Sequence, residues 1–309
     1  MLKQISCLSL LSLATASLSA ITFTFDYSYD SNDFFSGANV GRRAYLEQAG
    51  SLFESLLTDN FSAISPGGSL TYTQQFSNPG TGEVQSATDV PVAQDEIIVY
   101  AGGRDLGGST LGRGGPGGWN ASGNSSFFSD IRRGQGDTIG ATADDFGVWG
   151  GSISFDSDSS WYFDDDISTV ESFAGQYDFY SVAIHELGHL LGMGTADSWD
   201  NLIDGGNFFT GAKSMEVYGG PVPLQSSGGH FSSGVESETI AEAATAQEAA
   251  MDPDIASNVR KYFTLLDVAA LDDLGWDIDY ANVPEPRTTA LLGGLAALGL
   301  IAFRRRQRC

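Results

Sequence analysis

The sequence predicts an α+β fold: a twisted mixed sheet, a buried helix carrying paired histidines and an irregular C-terminal lobe. Three observations predict it. Short runs of alternating polar and apolar residues at 21–27, 69–76 and 150–156, with an apolar run at 96–100, read as strands, and a helical pattern at 44–57 lies among them. A His-Glu-x-x-His stretch, His185 to His189, sits inside a second helical pattern. The stretch 192–229 is rich in Gly, Ser and Asn, without sustained periodicity, and only one further helix (262–274) follows it.

From the N-terminus, residues 1–20 carry Lys3, an apolar run and a small-residue end at Ala20, the pattern of a cleaved secretory signal. The first strand follows at once. The helix over 44–57 places Leu46, Ala49, Phe53, Leu56 and Leu57 on one face. Residues 102–118 are glycine-rich and contain a G-x-G-x-x-G from Gly112 to Gly117. No apolar helix follows it and Pro116 interrupts it, so the segment reads as a flexible surface loop, not a dinucleotide cradle. The strand at 150–156 runs into Asp156, Asp158, Asp164, Asp165 and Asp166. Carboxylates gathered on a loop either hold calcium, with Asp156 and Asp158 the first candidates, or form a solvated acidic loop. No EF-hand spacing decides between them. Met251-Asp252-Pro253 reads as a turn, and Phe263, Leu266, Ala269, Ala270 and Leu274 line one face of the last helix before Gly275.

The chain has 309 residues, 41% of them hydrophobic, enough for one catalytic unit over residues 21–282. Its formal net charge is -24, and six of its 15 basic residues (Lys3, Arg287, Arg304, Arg305, Arg306 and Arg308) lie in the terminal segments. The acidic body excludes a nucleic-acid partner, which needs basic patches. Both cysteines, Cys7 and Cys309, fall in segments expected to be removed, so no disulfide is expected.

His185 and His189 are four residues apart and project from one helix face, a spacing that grips one zinc ion with Glu186 beside it. A catalytic zinc takes a third protein ligand and leaves a position for water. The remaining histidine, His230, follows Gly228-Gly229, a flexible setting from which an imidazole can be delivered. Asp197, Asp200 and Glu216 are the alternative ligands.

The run His185-Glu186-Leu187-Gly188-His189-Leu190-Leu191-Gly192-Met193-Gly194-Thr195 resembles the extended motif of the metzincin metalloproteases, H-E-x-x-H-x-x-G-x-x-H. Gly192 matches the family glycine. Thr195 stands where the third histidine is expected. In leishmanolysin-like metzincins an insertion separates that glycine from the third histidine, and this chain looks similar, with 195–229 as the insertion and His230 as the ligand. The order of strand, acidic loop and active helix resembles the matrixins, and Met251 resembles the Met-turn beneath the zinc. The resemblance implies a zincin fold and a zinc endopeptidase acting on protein or peptide substrates. In it, Glu186 takes a proton from the zinc-activated water and passes it to the departing amine.

Val283-Pro284-Glu285-Pro286, an apolar run at 288–303 and Arg304-Arg305-Arg306 resemble the PEP-CTERM sorting signal of bacteria. That resemblance implies transient membrane anchoring through 283–309, processing by an exosortase-type enzyme, and a secreted or cell-surface product. Many proteins with this signal are not enzymes. A non-catalytic extracellular-matrix binding protein with a structural metal site is therefore the competing expectation, and a metallo-hydrolase of non-peptide substrates a third.

Overall fold

The computed structural model describes residues 21–169, 171–241 and 245–283. The predicted signal segment, all but the first residue of the predicted sorting segment, and both cysteines lie outside them. Among the described residues no helix is long and apolar enough to cross a membrane.

In chain order the first half contains β1 (Thr22–Asp26), α1 (Arg43–Leu56), β2 (Thr71–Ser77), β3 (Val84–Thr88), β4 (Glu96–Arg104), β5 (Gly112–Pro116), β6 (Gly118–Ser122), α2 (Ser125–Ile131) and β7 (Gly150–Asp156). The central sheet runs β1-β4-β7-β5. Its first three strands are parallel, and β5 joins β7 antiparallel at the edge. β2 pairs with β3 and β6 in a separate antiparallel sheet.

β4 is nearly a continuous buried run because it is covered on both faces, as parallel strands usually are. Alternation along it divides the core. Ile97, Val99 and Ala101 face the main cluster under the helices, and Ile98 and Tyr100 face a smaller cluster with Tyr72, Phe76 and Trp149. α1 buries Leu46, Ala49, Phe53 and Leu56, the face its sequence spacing sets apart.

The second half begins with the two-residue strands β8 (Trp161–Tyr162) and β9 (Tyr177–Asp178), paired in parallel, and then α3 (Phe179–Leu190). α3 packs against α1, β5 and β7 and is apolar nearly all round, as befits a helix enclosed by the fold. After it come α4 (Asp197–Asp200), β10 (Phe208–Phe209), α5 (Ala212–Tyr218), β11 (Val222–Pro223), β12 (Glu236–Glu238), β13 (Ala246–Glu248) and α6 (Leu265–Asp273). This is an α+β fold with a twisted mixed sheet, and its second half is made of short elements and turns.

One expectation needs correcting. The glycine-rich stretch read as a flexible loop is ordered: β4 extends to Arg104, and Gly112–Pro116 form the edge strand of the central sheet. Gly112 and Gly114 reflect close approach to α3, while Gly107 and Gly108 do make a turn at positive φ.

Candidate metal centre

α3 starts at Asp178, whose carboxylate accepts from Ser181 N at 3.0 Å and from Ser181 Oγ at 2.6 Å, a side-chain cap that satisfies an otherwise unpaired helix donor. The same carboxylate pairs with Arg260 at 2.7 Å, so the helix start is tied to the chain before α6. The helix ends at Leu190. Gly192 at φ 100° and Gly194 at φ 71° turn the chain in the left-handed region, where a side chain would be strained. This turn brings Met193 O to 2.7 Å from His189 Nδ1.

The segment 195–229 leaves and returns at one place. A Cβ on Gly194 would meet Gly229 Cα at 2.9 Å, so the two ends of the excursion touch. Its interior is held by Trp199, stacked on Phe209 at 4.3 Å between ring centroids and 5.7 Å from Phe231. Trp199 Nε1 donates to Gly228 O at 2.8 Å, which fixes the returning strand one residue before the second half of the neck. The chain is thereby delivered to His230 beside α3.

All three histidines meet. Nε2 of His185 lies 3.1 Å from Nε2 of His189 and 3.2 Å from that of His230, and the last two are 2.9 Å apart. His185 Nδ1 donates to Ala250 O at 2.7 Å and His189 Nδ1 to Met193 O at 2.7 Å, which leaves their Nε2 lone pairs directed at each other and at His230. Lone pairs converging at 3 Å repel unless a cation lies between them. Three nitrogens on a tetrahedral zinc at 2.0–2.1 Å stand about 3.3 Å apart, close to the observed triangle. Burial, and then mutual repulsion, push His185 well below its ordinary pKa and His189 down to about 4; burial also lowers His230. The imidazoles are thus held neutral, the form that binds metal. The residues present fit a zinc ion.

Glu186 shares the cavity with the three rings. It is 5% exposed, and burial raises its carboxyl to about 8, while the Gly114 amide and the charge of Arg113 act in the other direction. The cavity, of about 800 Å³, runs from Tyr177 and Ser181 past the histidines to Thr195 and Gly229. β5 borders it with Gly112, Arg113 and Gly114.

Below the helix, Met251 is fully buried, with its sulfur where a Cβ on Gly188 would stand (2.5 Å away). The turn carrying it is held by Asp267, whose carboxylate accepts from Ala250 N at 2.9 Å and Met251 N at 3.1 Å. Ala250 O in turn holds His185, so the N-terminus of α6 orients the first imidazole through one peptide unit.

Of the ligands weighed from sequence, the structure brings together His185, His189 and His230. Asp197, Asp200 and Glu216 do not line the cavity: Asp197 accepts from Gly140 N, and Glu216 is exposed on α5. Thr195 donates its hydroxyl to His189 O at 2.7 Å and so supports a histidine. Among the described residues this trio is the one gathered set of His, Cys, Asp or Glu suited to a metal. The acidic loop diverges. Asp156 accepts from Leu106 N and Ser159 Oγ, Asp158 from Ser157 Oγ, and Asp164 pairs with Arg260. Sequence reasoning missed Asp267, which reads as an ordinary helix-start acid, and the β5 glycines, whose signal was there but read as a flexible surface loop.

Residues 129–204 match the family model described as matrixin. The matched span includes α3 with His185, Glu186 and His189, and ends before His230. No curated protein and no solved structure matches the chain. The match, the fold and the three-histidine cluster together support a metzincin-like zinc-dependent peptidase.

Proposed function

We propose that this chain is a secreted zinc endopeptidase in which His185, His189 and His230 hold the ion and Glu186 is the general base. The observation that carries the reading is the convergence of three neutral Nε2 atoms, all within 3.2 Å of one another, beside a buried carboxylate. Zinc bound there supplies Lewis acidity toward a water molecule and a substrate carbonyl.

The protein's own groups do the rest. Glu186, buried in the cavity that the three histidines line, takes a proton from the attacking water and returns it to the leaving amine. Ala250 O and Met193 O keep the two helix imidazoles in the tautomer that presents Nε2. β5 is the free edge of the central sheet along the cavity, so an extended peptide can lie against its main chain. That favours a protein or peptide substrate.

Glu186→Gln tests the base. Zinc content should be unchanged and cleavage of a general protein substrate lost. A zinc-loaded Glu186→Gln protein that still hydrolyses peptides would refute the role. The competing reading, a matrix protein with a structural metal site, predicts zinc without hydrolysis in the parent protein. Secretion through 1–20, exosortase-type processing and transient anchoring through 283–309 belong to the proposal on sequence grounds. Mass spectrometry of the mature termini tests them.

A further inference from the structure

We infer that the glycine-rich edge strand β5 positions Glu186, with Gly112 and Gly114 keeping open the volume that the base and its backbone occupy. The inference rests on the reading of Glu186 as general base. A Cβ on Gly112 would stand against the Glu186 carboxylate, 2.7 Å from both Cδ and Cγ. A Cβ on Gly114 would stand against the Glu186 carbonyl, 2.8 Å from its carbon and 3.0 Å from Cα. Alternation along the strand gives residues 112 and 114 the same face, the one laid on α3, while Gly115 on the other face would meet nothing within 4 Å. The strand is pinned from behind: it pairs with β7 over its whole length, Gly112 opposite Phe155 and Gly114 opposite Ile153. It therefore cannot retreat from the helix to admit a side chain without breaking the ladder. The Glu186 side chain lies against this wall and lines the cavity with the three rings, and the Gly114 N–H faces its carboxylate.

A carboxylate displaced by about 1 Å loses on the order of 100-fold in rate while substrate binding persists. Gly112→Ala should therefore lower kcat by about that factor, with KM and zinc content little changed, and Gly41→Ala, at a glycine away from the cleft whose Cβ would meet nothing within 4 Å, should behave as the parent protein. A readout independent of turnover is a thermal-unfolding cycle. Gly112→Ala should lower Tm in the parent protein and leave it nearly unchanged in the Glu186→Ala background, where the crowded side chain is gone. If Gly112→Ala does not fold, recovery of folding in the Glu186→Ala background supports the same contact. An additive cycle, a Gly112→Ala enzyme of parental kcat, or equal losses from Gly112→Ala and Gly41→Ala would overturn the inference. A zinc-loaded parent without peptidase activity would refute the peptidase reading, and the positioning role with it. An active parent indifferent to Gly112→Ala refutes only the positioning role.

Discussion

Asp267→Ala removes the group that ties α6 to the metal centre. The buried carboxylate accepts four hydrogen bonds: Ala250 N at 2.9 Å, Met251 N at 3.1 Å, Thr264 N at 2.8 Å and Thr264 Oγ1 at 2.6 Å. The Thr264 hydroxyl can rotate to another acceptor, but three backbone N–H groups are left without one. Each stranded buried donor costs about 1–3 kcal/mol. Relief from burying a charge offsets part of this, since burial already raises the Asp267 carboxyl. A net loss of about 4 kcal/mol follows, a fall in Tm of roughly 8–16 °C for a domain of this size. The second effect is on the metal. Ala250 O orients His185, and loss of such an outer partner typically weakens metal binding by about 10–100-fold. Thermal unfolding of the metal-free protein measures the first, and competition with a chromophoric chelator the second. Asp267→Asn, which keeps one accepting oxygen, should fall between parent and Ala. A loss under about 1 kcal/mol together with parental zinc affinity would show that the turn holds itself and that α6 does not orient His185.

Other outcomes are open to the same methods. His230→Ala should weaken zinc by at least about 100-fold, because on the proposed reading it deletes one of three protein ligands from a site whose binding free energy is of order 10 kcal/mol; parental affinity would place the third ligand elsewhere. Thr195→Ala, by contrast, should cost only about 1 kcal/mol of stability and leave zinc bound, since it deletes one hydrogen bond to His189 O. Asp59 provides a pH test. Burial raises its carboxyl to about 7, above its ordinary value near 4, so the folded protein binds this proton more tightly than the unfolded chain. Its contribution is present at acid pH and fades as pH rises through 7. Between pH 5 and 8 the parent should lose about 2–3 kcal/mol that Asp59→Asn does not lose, read by urea unfolding at the two pH values. Parallel pH profiles for the two proteins would contradict this.

Where a residue's neighbours in sequence set its environment, the reading from sequence held. The spacing of His185, Glu186 and His189 implied α3, and the alternation at 150–156 implied β7. His230 was reachable by a different route, because a third ligand was required and one histidine was left. The start of the last helix was misjudged by three residues. Tyr262 and Phe263 have the right periodicity, but Thr264 and Asp267 form a capping box that sets the start at Leu265. The β5 glycines were misread because composition alone does not separate a flexible loop from a strand pressed on a helix; only the partner, Glu186, makes the difference. Asp267 was invisible for a related reason. Its role depends on Ala250 and Met251, brought to it by folding and not by spacing.

The contact between Gly194 and Gly229 makes the excursion 195–229 a side branch hung from a closed stem. Its interior is continuous with the main core through Trp199, Phe209, Val222 and Leu224, and Asp273 of α6 accepts from Lys213 N and Ser214 N, so what can be rebuilt without dragging His230 from its partners is the exposed turn at 204–206. Doubling the length of such a closed branch costs only about 0.6 kcal/mol in chain entropy. That turn is thereby free to vary in size and chemistry, while the neck residues Thr195, Ser227 and Gly229, which line the cavity, keep their places beside His230.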